Sequence, residues 1–115
     1  MIHPGEIFVA EFPEVGRHPV IVVSREELNR GNYVLAVFCT SARFAVRSKL
    51  ANCVPFKAGQ FGFSVDCVAQ CKNILSVEKS QFDLSNGPIG KLDESTLRDI
   101  VRAIGYVIEA DCEPV

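Results

Sequence analysis

Two side chains able to handle a phosphate and a proton stand next to each other at Arg17 and His18, directly before Pro19. A guanidinium keeps its charge and grips phosphate oxygens through a planar fork of N–H donors. An imidazole can give or take a proton near neutral pH. Hydroxyls follow at Thr40 and Ser41, where they can donate to phosphate oxygens or simply cap a turn. Further on, Phe44 and Val46 stand between Arg43, Arg47 and Lys49. Such cations contact a nucleic-acid backbone, and an aromatic ring can stack a base. Each residue also has a plainer use: Arg17 as a solvated arginine, His18 as a strand-edge residue that only packs, Phe44 as core.

The elements that must position these residues are strands. His18 opens the run Pro19-Val20-Ile21-Val22-Val23, which ends at Ser24. An unbroken β-branched run of this length predicts a strand over 18–24, buried on both faces. Residues 33–39 form a second such run, ending in Thr40-Ser41. Pairing of the two brings Arg17, His18, Thr40 and Ser41 to one end of a sheet. A strand over 5–12 opens after Gly5 and closes at Pro13, and the short link through Gly16 makes it a hairpin partner of 18–24. Ser24 with Glu27 fits a capping box for one helical turn.

Residues 53–56 read as a short edge strand, because Pro55 cannot donate to a ladder. Alternation over 61–68 predicts a half-buried strand running on, bent, through Cys71, Ile74 and Leu75. Asn86-Gly87-Pro88 marks a turn in the connector 76–90. The clearest helix spans 92–109, with Asp93 as N-cap and a stripe of Leu97, Ile100, Val101, Ile104, Val107 and Ile108. That stripe is core or a dimer seam, and Gly105 within it invites a close approach. The tail 110–115 is expected to fray. Many short strands and one terminal helix make a mainly β fold, a small, partly closed barrel with a helix packed on it.

The 115 residues suit one domain, 1–115, with 48% apolar and 23% charged side chains. No apolar run approaches the roughly 20 residues that cross a bilayer, and no basic start leads into a long apolar stretch. No membrane association and a cytoplasmic location are therefore expected. Net charge is −2, but it is unevenly placed. Residues 17–57 carry seven bases against two acids; residues 1–16 carry three acids and no base, and residues 58–115 nine acids against five bases. A basic middle in an acidic chain fits one face for a polyanion, or equally scatter over solvated faces. The five cysteines, Cys39, Cys53, Cys67, Cys71 and Cys112, lack disulfide-framework spacing. Cys67-x-x-x-Cys71 has no second ligand pair, so no metal site is expected.

Three stretches carry a family resemblance: Gly5-Glu6-Ile7-Phe8-Val9-Ala10-Glu11-Phe12, Gly16-Arg17-His18-Pro19-Val20-Ile21-Val22-Val23-Ser24, and Val34 to Ser41. In this order, with a helix after Gly90-Lys91-Leu92, the chain resembles the MazF/PemK toxin endoribonucleases of toxin–antitoxin pairs. The resemblance implies an SH3-like barrel, usually a homodimer, that cuts single-stranded RNA with neither metal nor cofactor and is inhibited by an antitoxin. It also implies that Arg17, Thr40 and Ser41 are catalytic; His18 as base or acid, and Arg43, Phe44, Arg47 and Lys49 as RNA contacts, follow from their own side-chain chemistry. The chain departs from the family pattern at three places. His18, and not arginine, directly precedes the proline. The loop between the first two strands is short. Ala69-Gln70 lacks the usual acid between the two residues, unless Asp66 replaces it. These departures keep open a non-nuclease of the same fold, a gyrase-poison-like toxin or a protein-binding module.

Overall fold

The computed structural model describes residues 1–85 and 87–109. The expectations for Asn86, Cys112 and the 110–115 tail lie outside the described residues. Six strands form one antiparallel sheet: β1 (Glu6–Phe12), β2 (Gly16–Val22), β3 (Tyr33–Thr40), β4 (Cys53–Phe56), β5 (Cys67–Glu78) and β6 (Gly90–Lys91). Their order across the sheet is β4-β5-β3-β2-β1-β6. The sheet curls into a half-barrel. A one-turn helix, α1 (Phe44–Arg47), follows β3, and α2 (Glu94–Val107) packs on β4 and β5.

The strands in the first third of the chain form where the apolar runs predict them. β1 and β2 make a hairpin in which Glu11 faces Arg17 and Ala10 faces His18. β2 and β3 then pair with Val20 opposite Phe38. Both faces of this unit are buried. Ile7, Ile21, Val37, Cys39, Ala69 and Cys71 point to the side covered by α2, where Ile100 and Ala103 meet them. Phe8, Ala10, Val20, Val22, Ala36 and Phe82 point to the other side. The two-residue side-chain period thus sorts consecutive residues of one strand into two cores.

Four expectations need correction. The predicted strand over 61–68 is a 3₁₀ turn, Gln60–Gly62, followed by a bend, and β5 begins only at Cys67. Glycines at positive φ on either side, Gly59 at +95° and Gly62 at +91°, bend the chain there. β5 in turn runs on to Glu78, into the expected connector. Ser24 caps no helix. Its hydroxyl bonds Asn29 and accepts the Leu35 amide proton at 2.9 Å, and the short 3₁₀ turn Leu28–Arg30 starts later. In α2, Val101 and Ile108 are exposed, so only part of the stripe is core, and a methyl at Gly105 would meet open space. Asp93 does cap α2, accepting from the Thr96 amide at 2.8 Å.

Candidate functional site

Arg17, His18, Thr40 and Ser41 line one cavity of about 420 Å³ at the end of the sheet. Val9 and Pro19 form its floor, and Gly62, Phe63, Ser64, Val65 and Ile89 form the facing wall. The wall is held close by glycine. A methyl at Gly62 would lie 2.0 Å from the Ile89 carbonyl oxygen, and one at Gly90 would lie 1.7 Å from that of Phe61. Only paired glycines let these two backbone segments touch.

Arg17 and His18 leave β2 on opposite faces, as neighbours on a strand must: Arg17 shares its face with Val9 and Pro19 of the floor, and the His18 ring turns to the other, onto Phe38. The Arg17 guanidinium donates from Nη2 to Asp83 Oδ2 at 3.0 Å. Its Nη1 lies 4.0 Å from Glu11 Oε1, the cross-strand neighbour. The side chain is 54% exposed. Four of its five N–H donors therefore stay open to a ligand.

The His18 ring lies on Phe38, with centroids 4.5 Å apart. Nδ1 is 3.2 Å from the Cys39 carbonyl oxygen, and Nε2 is 3.1 Å from that of Val15. Both partners can only accept, so a singly protonated ring bonds just one of them, through whichever nitrogen carries the proton. To exchange a proton with a substrate, the ring must release one carbonyl. The exposed Val15 turn is the looser of the two.

Thr40 is only 7% exposed, and Oγ1 accepts the Ala42 amide proton at 3.2 Å. Its own hydroxyl proton remains free to donate. Ser41 is exposed beside it. The following segment is drawn in by the same residue, since Arg47 Nη1 donates to the Ala42 carbonyl at 3.2 Å. Arg43 adopts the left-handed conformation at φ 55° and starts α1. Arg43 and Lys49 are exposed, and Phe44 is half-buried with Lys57 Nζ 5.5 Å above its ring. A base stacking on Phe44 would use the ring's other face or displace that ammonium. Arg43, Phe44, Arg47 and Lys49 thus form a basic shoulder two residues beyond the cavity's Ser41, outside its lining.

Asp66 does not enter the cavity. Its carboxylate accepts from the Ala58 amide at 2.8 Å and pairs with Lys57 at 3.6 Å. The Ala58 hydrogen bond holds its pKa below the usual carboxylate value. Asp83 is the site residue that sequence reasoning misses. Its carboxyl is also held low, first by the Ser85 hydroxyl and then by Arg17. The turn signal at 86–88 does not include Asp83, and no local pattern ties it to an arginine 66 residues away. Cys67 lines the cavity and Cys39 lies behind it, both buried. Burial pushes the Cys67 thiol up to about 11, which removes it as a nucleophile at neutral pH. Among the described residues no cluster of histidine, cysteine and carboxylate side chains is arranged to hold a metal ion.

The fold and its order of elements are shared with solved toxin structures. An endoribonuclease in complex with its cognate antitoxin, from a mycobacterial species, superposes with a TM-score of 0.76 at 18% identity, over 95% of this chain and 96% of that one. The Mycobacterium tuberculosis toxin MazF-mt6 gives 0.74 at 22% identity, over 90% and 96%. MazF in a MazE–MazF structure from Deinococcus radiodurans gives 0.72 at 17% identity, over 93% and 94%. No curated protein matches the chain by sequence. The family model of PemK-like, MazF-like toxins of type II toxin–antitoxin systems matches residues 3–108. With nearly its whole length inside that match and its sheet, helix and cavity arranged as above, the chain belongs to the PemK-like, MazF-like toxin family.

Proposed function

We propose that this chain is the toxin of a type II toxin–antitoxin pair, a sequence-selective endoribonuclease that cuts single-stranded messenger RNA without a metal ion. It acts in the cytoplasm as a homodimer and is silenced by a cognate antitoxin. One observation carries the proposal: residues from two strands, Arg17 and His18 with Thr40 and Ser41, line a single cavity beside a basic shoulder. Family membership and the endoribonucleases among the structural neighbours support it.

In the proposed reaction the ribose 2′-oxygen attacks the adjacent phosphorus. A bond forms from phosphorus to O2′, and the bond from phosphorus to O5′ breaks. The products are a 2′,3′-cyclic phosphate and a 5′-hydroxyl, so no outside nucleophile is needed. Arg17 balances the charge that builds on the phosphate oxygens, using the donor edges that Asp83 leaves free. Thr40 and Ser41 donate to the same oxygens. His18, the only imidazole in the lining, takes the 2′ proton or returns one to the leaving oxygen after it lets go of Val15. Arg43, Arg47 and Lys49 hold flanking phosphates, and Phe44 stacks a base.

One observation favours a second reading. With the His18 ring set between two main-chain carbonyls and Arg17 flanked by two carboxylates, a binding module of the same fold would look much the same. Incubation with a long single-stranded RNA in EDTA decides between them. Discrete cuts with cyclic-phosphate ends, lost in Arg17→Ala, support the nuclease. A folded protein that leaves several RNAs intact rules it out in favour of the binding module.

A further inference from the structure

We propose that Asp83 is a positioning residue for Arg17, a preset anchor that aims the guanidinium at the substrate phosphate. The inference rests on Arg17 being the phosphate-binding group of the proposed reaction. Arg17 sits at an exposed strand end, where a long side chain would otherwise sample many rotamers. An ordinary surface ion pair would not change this much, because both partners are loose. Asp83 is not loose. Its amide donates to the Val9 carbonyl at 2.9 Å, next to the cavity floor. Its Oδ1 accepts from both the amide (3.2 Å) and the hydroxyl (2.6 Å) of Ser85. The preceding Phe82 is buried, stacked on Phe8 at 4.9 Å and bridged to Ala10 of β1.

One oxygen is therefore left over, Oδ2, held in place by core and turn, and it receives Arg17. Glu11 stands on the other side of the guanidinium, fixed by strand register but at 4.0 Å too far to hydrogen-bond. It contributes field without occupying a donor. The guanidinium is thus steered by one hydrogen bond from a rigid partner and keeps Nε and Nη1 for the ligand. A positioned group binds and reacts faster than one that must be ordered by its substrate.

The test uses the full chain, a single-stranded 2′-O-methyl RNA that cannot be cut, and the unmodified RNA in single-turnover cleavage. Asp83→Ala should weaken binding by about fivefold, the upper range for an exposed charged pair, and slow cleavage at saturating RNA. Ser85→Ala, which removes only one anchor of Asp83, should give a smaller loss in the same direction. Both binding losses should vanish in an Arg17→Ala background, because the effect passes through Arg17. An equal loss with and without Arg17, or no loss from either variant, overturns the assignment. If Asp83→Ala does not fold, the Ser85→Ala pair decides alone. A wild-type chain that binds no RNA defeats the proposed function and this inference together. Wild-type binding without coupling defeats only the inference.

Discussion

Thr40 illustrates how a single hydroxyl serves two ends. As an acceptor it satisfies the Ala42 amide at the close of β3, and as a donor it faces the cavity. The isosteric Thr40→Val should leave that amide unmet, cost about 1 kcal/mol in stability and abolish RNA cleavage. Thr40→Ser should keep both; denaturant melts beside a cleavage assay separate the two roles. For His18 the flanking carbonyls make a sharper contrast. His18→Asn retains a side-chain amide that can donate to one carbonyl, so its melting temperature should stay near wild type while cleavage is lost. Retained cleavage in that variant would remove His18 from proton transfer. The cysteines lie at the opposite extreme. Burial pushes Cys71 up to about 12 and Cys67 to about 11, and raises Cys39 as well. At pH 8 these three thiols should resist iodoacetamide in the folded protein and react only in denaturant, as peptide mapping by mass spectrometry would show.

Among the elements, those specified by local sequence were legible and those specified by distant contacts were not. β1, β2, β3 and β4 follow from apolar runs bounded by glycine and proline, and α2 from its aspartate cap and heptad-like spacing. The stretch 61–68 alternates as a strand would, yet Phe61 sits at φ 49° and Phe63 packs into the core from a bend. Its shape is set by the contact of Gly62 with Ile89, and no local pattern reports a partner so far along the chain. The site was half legible for the same reason. Strand ends announced Arg17, His18, Thr40 and Ser41, while Asp83 and the 62–65 wall arrive from the connectors. Gly90→Ala should lower stability by about 1–3 kcal/mol, the usual range for overpacking, and should also disturb cleavage by shifting the cavity wall. α2 gives a pH signature. The Thr96 hydrogen bonds hold the Asp93 carboxyl low, so its stabilising effect is complete above about pH 4, the unfolded value. It is lost as pH falls through the folded pKa. Melting temperature should therefore drop on acidification below pH 4, and less steeply in Asp93→Ala.

Across the whole molecule, charge is unevenly placed along the chain. The chain is −2 overall, yet the segment holding the Arg17–His18 and Thr40–Ser41 strand ends and α1 is strongly basic. Binding to single-stranded RNA should weaken as salt rises, with a slope of about 0.7 per phosphate neutralised. Replacing Arg43, Arg47 and Lys49 together by alanine should flatten the slope by about two units while leaving cut-site choice unchanged. A slope unaffected by that triple change would place the backbone contacts elsewhere.

The two borders of the sheet bear on how such a protein is switched off. β6 is two residues long, and β4 covers only Cys67–Gln70 of β5, so the outer edge of β5 from Lys72 to Glu78 pairs with no strand among the described residues. A silencing polypeptide that pairs with that edge leaves the cleft beside Arg17 free, whereas one that inserts side chains into the cleft takes a substrate's place. Inhibition of that kind is a contest for occupancy, so an inhibitor and an RNA strand would exclude each other in proportion to their concentrations.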